Sequence, residues 1–382
     1  MVDLSFTEEQ VAFRESILKF AKKELNNNLI ENDEKATFSW ENWKKCADMG
    51  LLSLLVPKKH GGQGADLLTN VLSMEALSYA CRDSGLVHAI GTQICCIVQI
   101  SLFASDFLKQ AYLPELARGE KMAAQAITEP EAGSDVLSIQ TKAQKTDNGY
   151  VLNGTKMFIT NGPLADVIIV FVVTNPQKKK FGGISCFMVD KETKGFSRGN
   201  PLNKIGLRTL QNCELIFEDC LVPSDKLLGK ESQGMIIFNE QIEWERTLLS
   251  AAYIGTMERV LESCINHVKT RSQFGQPIGK FQSISNKIAD MKVNIELGKL
   301  ILYKAAWLKD QKKRVPLETS IGKLFISESL KNACLEAIQI HGGYGYMKEF
   351  EIERELRDSI ASTIYSGTSE LQKNIISSLA SL

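Results

Sequence analysis

The 382-residue sequence predicts an α+β fold, mainly α, in three successive parts. Apolar residues recur at helical spacing through the first third. β-rich runs bounded by turn residues fill the stretch from about 123 to 233. Helical spacing returns after "GKESQG" and continues to the end. The expected parts are an N-terminal helical domain (1–122), a compact antiparallel β domain (123–233) and a C-terminal helical bundle (234–382).

The first helix opens on "TEEQ", a capping box in which Thr7 caps the helix and Gln10 reaches back. Val11, Phe13, Ile17, Leu18 and Phe20 follow at near-helical spacing. "PKKHGGQGAD" breaks the pattern at Pro57, Gly61, Gly62 and Gly64, and helical texture resumes from about Leu67 to Leu116. In the β domain, "GYVLNGTKMFITNG" alternates apolar and polar residues around Asn153-Gly154, a strong hairpin signal. "DVIIVFVVT", "GISCFMVD" and "CELIFEDCLVP" read as further strands. Helical segments of about 20 to 30 residues then alternate with "RSQFGQPIG", "KKRVP" and "HGGYGY", as suits a bundle.

Lys+Arg and Asp+Glu both number 45, so no field of one sign points to nucleic acid, and neutrality favours self-association. The start "MVDLSFTEEQ" lacks a basic segment followed by an apolar one, so no secretory signal is expected. "DVIIVFVVT" is too short to cross a bilayer, and no membrane partner is expected. Nine cysteines without a C-x-x-C pair read as reduced core residues of a cytoplasmic protein. Four scattered histidines argue against a zinc site, and no metal is expected.

No G-x-G-x-x-G between strand and helix, no P-loop and no G-x-S-x-G is present. Five other stretches each admit two readings. "QAITEPEAGSD" (Gln125–Asp135) is a plain inter-domain loop or one that offers N–H groups and hydroxyls to a ligand. "KMFITNG" puts Phe158 and Thr160 on one strand face, as core aromatic plus solvated threonine or as a wall for a flat, polar-edged ligand. Met235, Phe238, Ile242, Glu245, Leu249 and Ala252 form one helix stripe in which Glu245 is the only charged member, with Glu240 and Glu243 off it. An inward carboxylate is either a structural ion-pair partner or a desolvated general base. The runs Lys178-Lys179-Lys180 and Lys312-Lys313-Arg314 read first as solvated tips, and secondly as docking sites for an acidic partner.

Six stretches in order, "AITEPEAGSD", "GTKMFITNG", "TRSQFGQPIGKFQ", "QIHGGYGY", "RELRD" and "YSGTSELQ", resemble the acyl-CoA dehydrogenase family nearly from end to end. The resemblance implies that family's fold, a homotetramer, and non-covalent FAD held without a Rossmann fold. It implies removal of the α-proton of an acyl thioester while the β-hydride passes to flavin N5. Carried over residue by residue, Ile127, Thr128, Gly133 and Ser134 line the flavin, with Phe158 and Thr160 against its rings. Arg271, Phe274, Gln282, Gln339, Gly342 and Gly343 hold the ADP part across a subunit interface. Thr368 and Glu370 also reach FAD.

Many members carry the catalytic glutamate immediately before the "GT" of the last motif, where this chain has Ser366. A minority place it on the first helix after the β domain, immediately before an arginine, as Glu245 stands before Arg246. The stripe isolates the same Glu245, and the resemblance implies that it is the base. Arg246 is expected to orient the base or its helix, and the Ser366 N–H to hold the thioester oxygen with a flavin hydroxyl. "EWER", "FQSISNKIADMK", "LYKAAWLKD" and "TIYSGTSELQKNII" look most like the natural-product branch that oxidises aminoacyl groups, typically prolyl, on acidic phosphopantetheinyl carrier proteins. The alternatives are a short- or branched-chain acyl-CoA dehydrogenase and a non-catalytic flavoprotein or scaffold. Electrons would leave to O2 or to an electron-transfer flavoprotein.

Overall fold

A computed structural model of the chain describes residues 5–381, apart from the side chains of residues 179–181. Two lysines of the 178–180 run thus lie outside the described residues.

Six helices precede the first strand: α1 (Glu8–Glu24), α2 (Leu29–Lys35), α3 (Trp40–Asp48), α4 (Leu67–Ala80), α5 (Ser84–Phe103) and α6 (Asp106–Ala117). The capping box closes α1: the Thr7 hydroxyl accepts from the Gln10 N–H at 3.1 Å, and the Gln10 side chain accepts from the Thr7 N–H at 3.0 Å. Ile17 is buried, but Val11 is exposed. Six residues separate them, which turns Val11 about 120° away from the packed face. Ser39, Asp66, Asp83 and Ser105 cap α3 to α6 and break the long helical texture into separate helices.

Helix α5 is 20 residues long with mean hydropathy 1.8, long and apolar enough to span a membrane by length and composition alone. Its apolar surface is instead covered from two sides. Ile90 and Ile94 belong to the helical core, while Cys96, Ile97 and Ile100 pack with Val167, Ile169 and Phe171 of the sheet. All nine cysteines are free and buried.

The strands are β1 (Ala123–Ala126), β2 (Lys142–Thr146), β3 (Gly149–Thr160), β4 (Val167–Val173), β5 (Ile184–Asp190), β6 (Phe196–Arg198), β7 (Asn212–Val222) and β8 (Leu227–Leu228). Among the described residues these eight form one sheet, in the order β6-β7-β3-β2-β4-β5-β8 with β1 on β4. The β1–β4 pair is parallel, as is a single β2–β4 bridge, so the sheet is not antiparallel throughout. Strand β4 alternates faces: Val167, Ile169 and Phe171 meet α5 and α6, while Ile168, Val170 and Val172 join the core with Tyr150, Phe187 and Phe217.

The hairpin turn is not at Asn153-Gly154. It lies at Asp147-Asn148, between Thr146 and its partner Gly149. Asn153 and Gly154 sit inside β3 at an irregularity in its pairing with β7. There Asn153 exchanges hydrogen bonds with Asp219. Gly154 (φ +144°) lies so close to Thr141 that a Cβ would come within 2.6 Å of its hydroxyl. The glycine serves a close approach rather than a turn.

Helix α7 (Gly234–Thr270) spans 37 residues, longer than the sequence segmentation predicts. A small hairpin of β9 (Ser272–Gln273) and β10 (Gln276–Pro277) leads to α8 (Gln282–Asp310) and α9 (Pro316–His341). Then come α10 (Gly343–Tyr346), α11 (Ile352–Ile360) and α12 (Ser369–Leu379). Leu248, Leu249, Tyr253 and Ile254 of α7 share one core with residues of α1, α4, α5, α8 and α9. Against α4 the approach is so close that a Cβ on Gly255 would lie 2.2 Å from the Glu75 carbonyl oxygen. This central helix carries the site.

Candidate active site

The carboxylates of α7 divide differently from the stripe. Glu243, off the stripe, is the buried one, 1% exposed. Its oxygens accept from Lys309 Nζ and Arg314 Nε, both at 2.7 Å, and from the Val315 N–H at 3.1 Å. Lys309 also meets Glu240 at 2.7 Å. Glu245 is only half-buried. A helix wrapped by neighbours buries several faces, so one apolar stripe cannot say which acid is inside. The structural ion-pair role left open for Glu245 belongs to Glu243. Arg314, expected at a solvated helix end, is one of its partners.

Glu245 meets neutral donors. One oxygen accepts from Gln241 Nε2 at 2.6 Å, and the other accepts a short hydrogen bond from the Ser366 hydroxyl. Gln241 in turn accepts from Gln125 Nε2 of β1 at 3.4 Å. Among the described residues no cation stands within ion-pair distance of Glu245. Arg246 does not hydrogen-bond to it either. It donates to the Ser366 carbonyl and to the Ser320 hydroxyl, both at 3.1 Å. Burial lowers the Arg246 pKa to about 10, opposed by the charges of Glu245 and Glu243. Its direct contacts therefore hold the turn that carries Ser366 rather than orient the carboxylate.

That turn is built from two consecutive left-handed residues, Ser366 (φ +55°) and Gly367 (φ +91°). Gln372 Nε2 donates to both carbonyls, at 3.2 and 2.9 Å. Lys323 Nζ donates to the Gly367 carbonyl at 2.7 Å. Burial, with the nearby Arg246 charge, depresses the Lys323 ammonium to about 8. Thr368 caps α12, its hydroxyl accepting from the Leu371 N–H at 3.2 Å, and Glu370 is exposed in the first turn. Just before Ser366, the Tyr365 hydroxyl lies 2.7 Å from both His88 Nε2 and the Tyr253 hydroxyl. Gln241, Lys323, Gln372, His88 and Tyr253 were not singled out from sequence. Their partners lie on other elements, and no spacing rule links them.

A second cluster joins β1 to β3. Lys156, fully buried, donates to the Ile127 carbonyl at 3.0 Å and to Glu129 at 2.7 Å. Burial depresses the ammonium to about 8 against the opposing pull of Glu129. For Glu129 burial raises the pKa, but Lys156, the Thr141 contact and the Gln140 N–H outweigh it and hold the carboxyl below its usual value. The Thr128 carbonyl accepts from the Met157 N–H at 2.8 Å. These bonds clamp the Ile127–Glu129 segment to the strand that presents Phe158. Phe158 itself is left-handed (φ +61°), with its residue surface 61% exposed beside buried Ile159. Asn212 Nδ2 donates to the Phe158 carbonyl and the Thr160 hydroxyl, at 3.2 and 3.0 Å, while its Oδ1 is buried without a partner. Gly133 and Ser134 lie exposed nearby in sequence, and a Cβ on Gly133 would meet open space.

The remaining predicted residues lie on the bundle. The Arg271 guanidinium stands 5.8 Å from the Tyr344 ring centre and has no carboxylate partner among the described residues. This puts it beside the Gly342-Gly343 turn, where added Cβ atoms would meet open space. Phe274 is 93% exposed at the β9–β10 tip, and Gln282 and Gln339 are also exposed.

The chain matches the acyl-CoA dehydrogenase N-terminal domain over residues 7–120, the middle domain over 124–220 and the C-terminal domain over 232–380. An L-prolyl-[peptidyl-carrier protein] dehydrogenase from Pseudomonas fluorescens is 41% identical over 90% of this chain and 91% of its own length. Among solved structures, the prolyl acyl carrier protein oxidase AnaB superposes with a TM-score of 0.97 at 43% identity, covering 99% of this chain and all of its own. PigA with FAD and proline gives a TM-score of 0.97 at 37% identity over the whole of both chains.

Proposed function

The chain belongs to the acyl-CoA dehydrogenase family, and from that premise we propose that it oxidises a prolyl group carried as a thioester on a carrier protein, with FAD as cofactor. The observation that carries the chemistry is Glu245, a half-buried carboxylate held by two neutral donors while its neighbour Glu243 takes the local cations. A carboxylate with no ion-pair partner is free to accept a proton, whereas one locked in an ion cluster is not. Glu245 removes the α-proton. The Ser366 turn, pinned by Arg246, Gln372 and Lys323, keeps a hydroxyl on the base and offers the Ser366 N–H to the thioester oxygen, where negative charge develops.

The residues fit FAD. An exposed Phe158 ring beside the Thr160 hydroxyl and the unpartnered Asn212 oxygen suits a flat, polar-edged ring system. An unpaired Arg271 beside an open Gly342-Gly343 turn suits a pyrophosphate. Ile127, Thr128, Gly133, Ser134, Phe158 and Thr160 would hold the flavin. Arg271, Phe274, Gln282, Gln339, Gly342 and Gly343 would hold the ADP part, with Thr368 and Glu370 completing the site. When bound, FAD supplies the hydride acceptor for the β-carbon.

The Pseudomonas relative and AnaB are named for prolyl groups on carrier proteins, which supports the same substrate here. An acidic carrier fits exposed Lys312 and Lys313, which have no carboxylate partner among the described residues and precede the Arg314 that grips Glu243. A homotetramer in the cytoplasm, reoxidised by O2 or an electron-transfer flavoprotein, completes the proposal. The test offers prolyl-carrier protein and an acyl-CoA panel side by side, with intact mass as readout. A two-dalton loss from the prolyl-carrier protein is expected. Oxidation confined to acyl-CoA thioesters would replace this reading with a short- or branched-chain acyl-CoA dehydrogenase.

A further inference from the structure

Next to the base lies a hydrogen-bond chain whose direction is fixed by chemistry. His88 Nδ1 is 2.6 Å from the Ser84 carbonyl, which can only accept, so Nδ1 carries the proton. Burial holds the imidazole pKa down to about 4, so the ring is neutral around pH 7 and Nε2 is an acceptor. Tyr365, 2.7 Å from Nε2, must then donate its only proton to His88. The Tyr253 hydroxyl donates to the Tyr365 oxygen at 2.7 Å. Tyr365 therefore has no proton left for a ligand, and one lone pair open.

Tyr365 is half-buried and immediately precedes Ser366, whose hydroxyl donates to Glu245. We infer that Tyr365 is the residue that reads the acyl group's amine, its fixed acceptor oxygen taking an N–H from the nitrogen on the α-carbon. This rests on the prolyl reading of the site. The assignment follows the substrate's connectivity: the nitrogen is bonded to the carbon that Glu245 would deprotonate, and Tyr365 adjoins the Ser366 whose hydroxyl binds Glu245. An all-carbon acyl group would leave the lone pair buried and unpaired, and sites built to bond an N–H discriminate strongly against analogues that lack it.

The test compares prolyl- and cyclopentanecarbonyl-carrier protein, which differ by one ring N–H. Wild type is expected to favour the prolyl thioester at least about 100-fold in kcat/KM. Tyr365→Phe should lower that ratio by at least about tenfold with its flavin spectrum kept, while the loss of a partner for buried His88 and Tyr253 lowers its melting temperature. Tyr253→Phe leaves the Tyr365 proton on His88 and its oxygen open, and should keep the ratio within about threefold. Calorimetric binding of the two thioesters to Glu245→Gln protein should show the same preference without turnover. A wild-type ratio near one, or an unchanged ratio in Tyr365→Phe, would overturn the assignment. If wild type oxidises neither carrier thioester, the prolyl reading itself fails and takes this assignment with it.

Discussion

Glu243 and Glu245 leave the same helix two residues apart and meet opposite surroundings. Glu243 is sealed between Lys309, Arg314 and the Val315 N–H. Glu245 faces a serine hydroxyl and a glutamine amide near the C-terminal turn. One carboxylate joins α7 to α8 and to the loop before α9; the other meets only neutral donors. The difference shows that position on a helix does not assign a role to an acid. The partners brought by other elements do.

The sharpest way to break the comparison is Glu243→Ala. It leaves the Val315 N–H without its acceptor and the buried Lys309 ammonium with Glu240 alone, and should cost about 3 kcal/mol of stability. Glu245→Gln keeps its contacts with neutral donors and should stay within about 1 kcal/mol of wild type. Chemical denaturation of both variants measures the contrast; equal losses would erase it.

The His88 chain comes next. Its folded pKa, about 4, lies below the ordinary 6.5, so between these values the unfolded chain binds the extra proton. Stability is thus intact above pH 6.5 and falls as pH drops toward 4, by on the order of 3 kcal/mol. His88→Gln should remove that part of the slope in a series of melts across pH, and an unchanged slope would show that other groups carry it.

Ser366→Ala removes one neutral donor from Glu245 without touching the backbone turn. About a tenfold slower flavin reduction is expected in stopped-flow traces, with FAD still bound. No change would mean that the hydroxyl is incidental. The smallest effect on the fold belongs to Lys312→Glu with Lys313→Glu, which should shift stability by less than about 0.5 kcal/mol. The KM for carrier-bound substrate should nonetheless rise several-fold, while a small prolyl thioester is unaffected. Equal KM values for carrier-bound substrate would move the docking surface elsewhere.

Much of this was legible in the chain. The capping box at Thr7, the change to strands near Ala123 and the return to helix after "GKESQG" follow from local periodicity and turn chemistry. Glu245 is picked out by a family position; the stripe that also isolates it misses that Glu243 is the buried acid. What could not be read depends on distant partners. His88 and Tyr365 are 277 residues apart, and Glu243 meets Arg314 across 71. Asn153-Gly154 carries a turn's signature, yet the glycine is there to let β3 pass Thr141. Ser366 first reads as the loss of a carboxylate. In the fold its hydroxyl is a hydrogen-bond donor to the carboxylate that lies elsewhere.

The account stands most directly on one anaerobic measurement, flavin absorbance after mixing Glu245→Gln protein with prolyl-carrier protein. The protein should remain yellow, with FAD bound and no bleaching, while wild type bleaches. Bleaching of the variant at the wild-type rate would show that Glu245 is not the base.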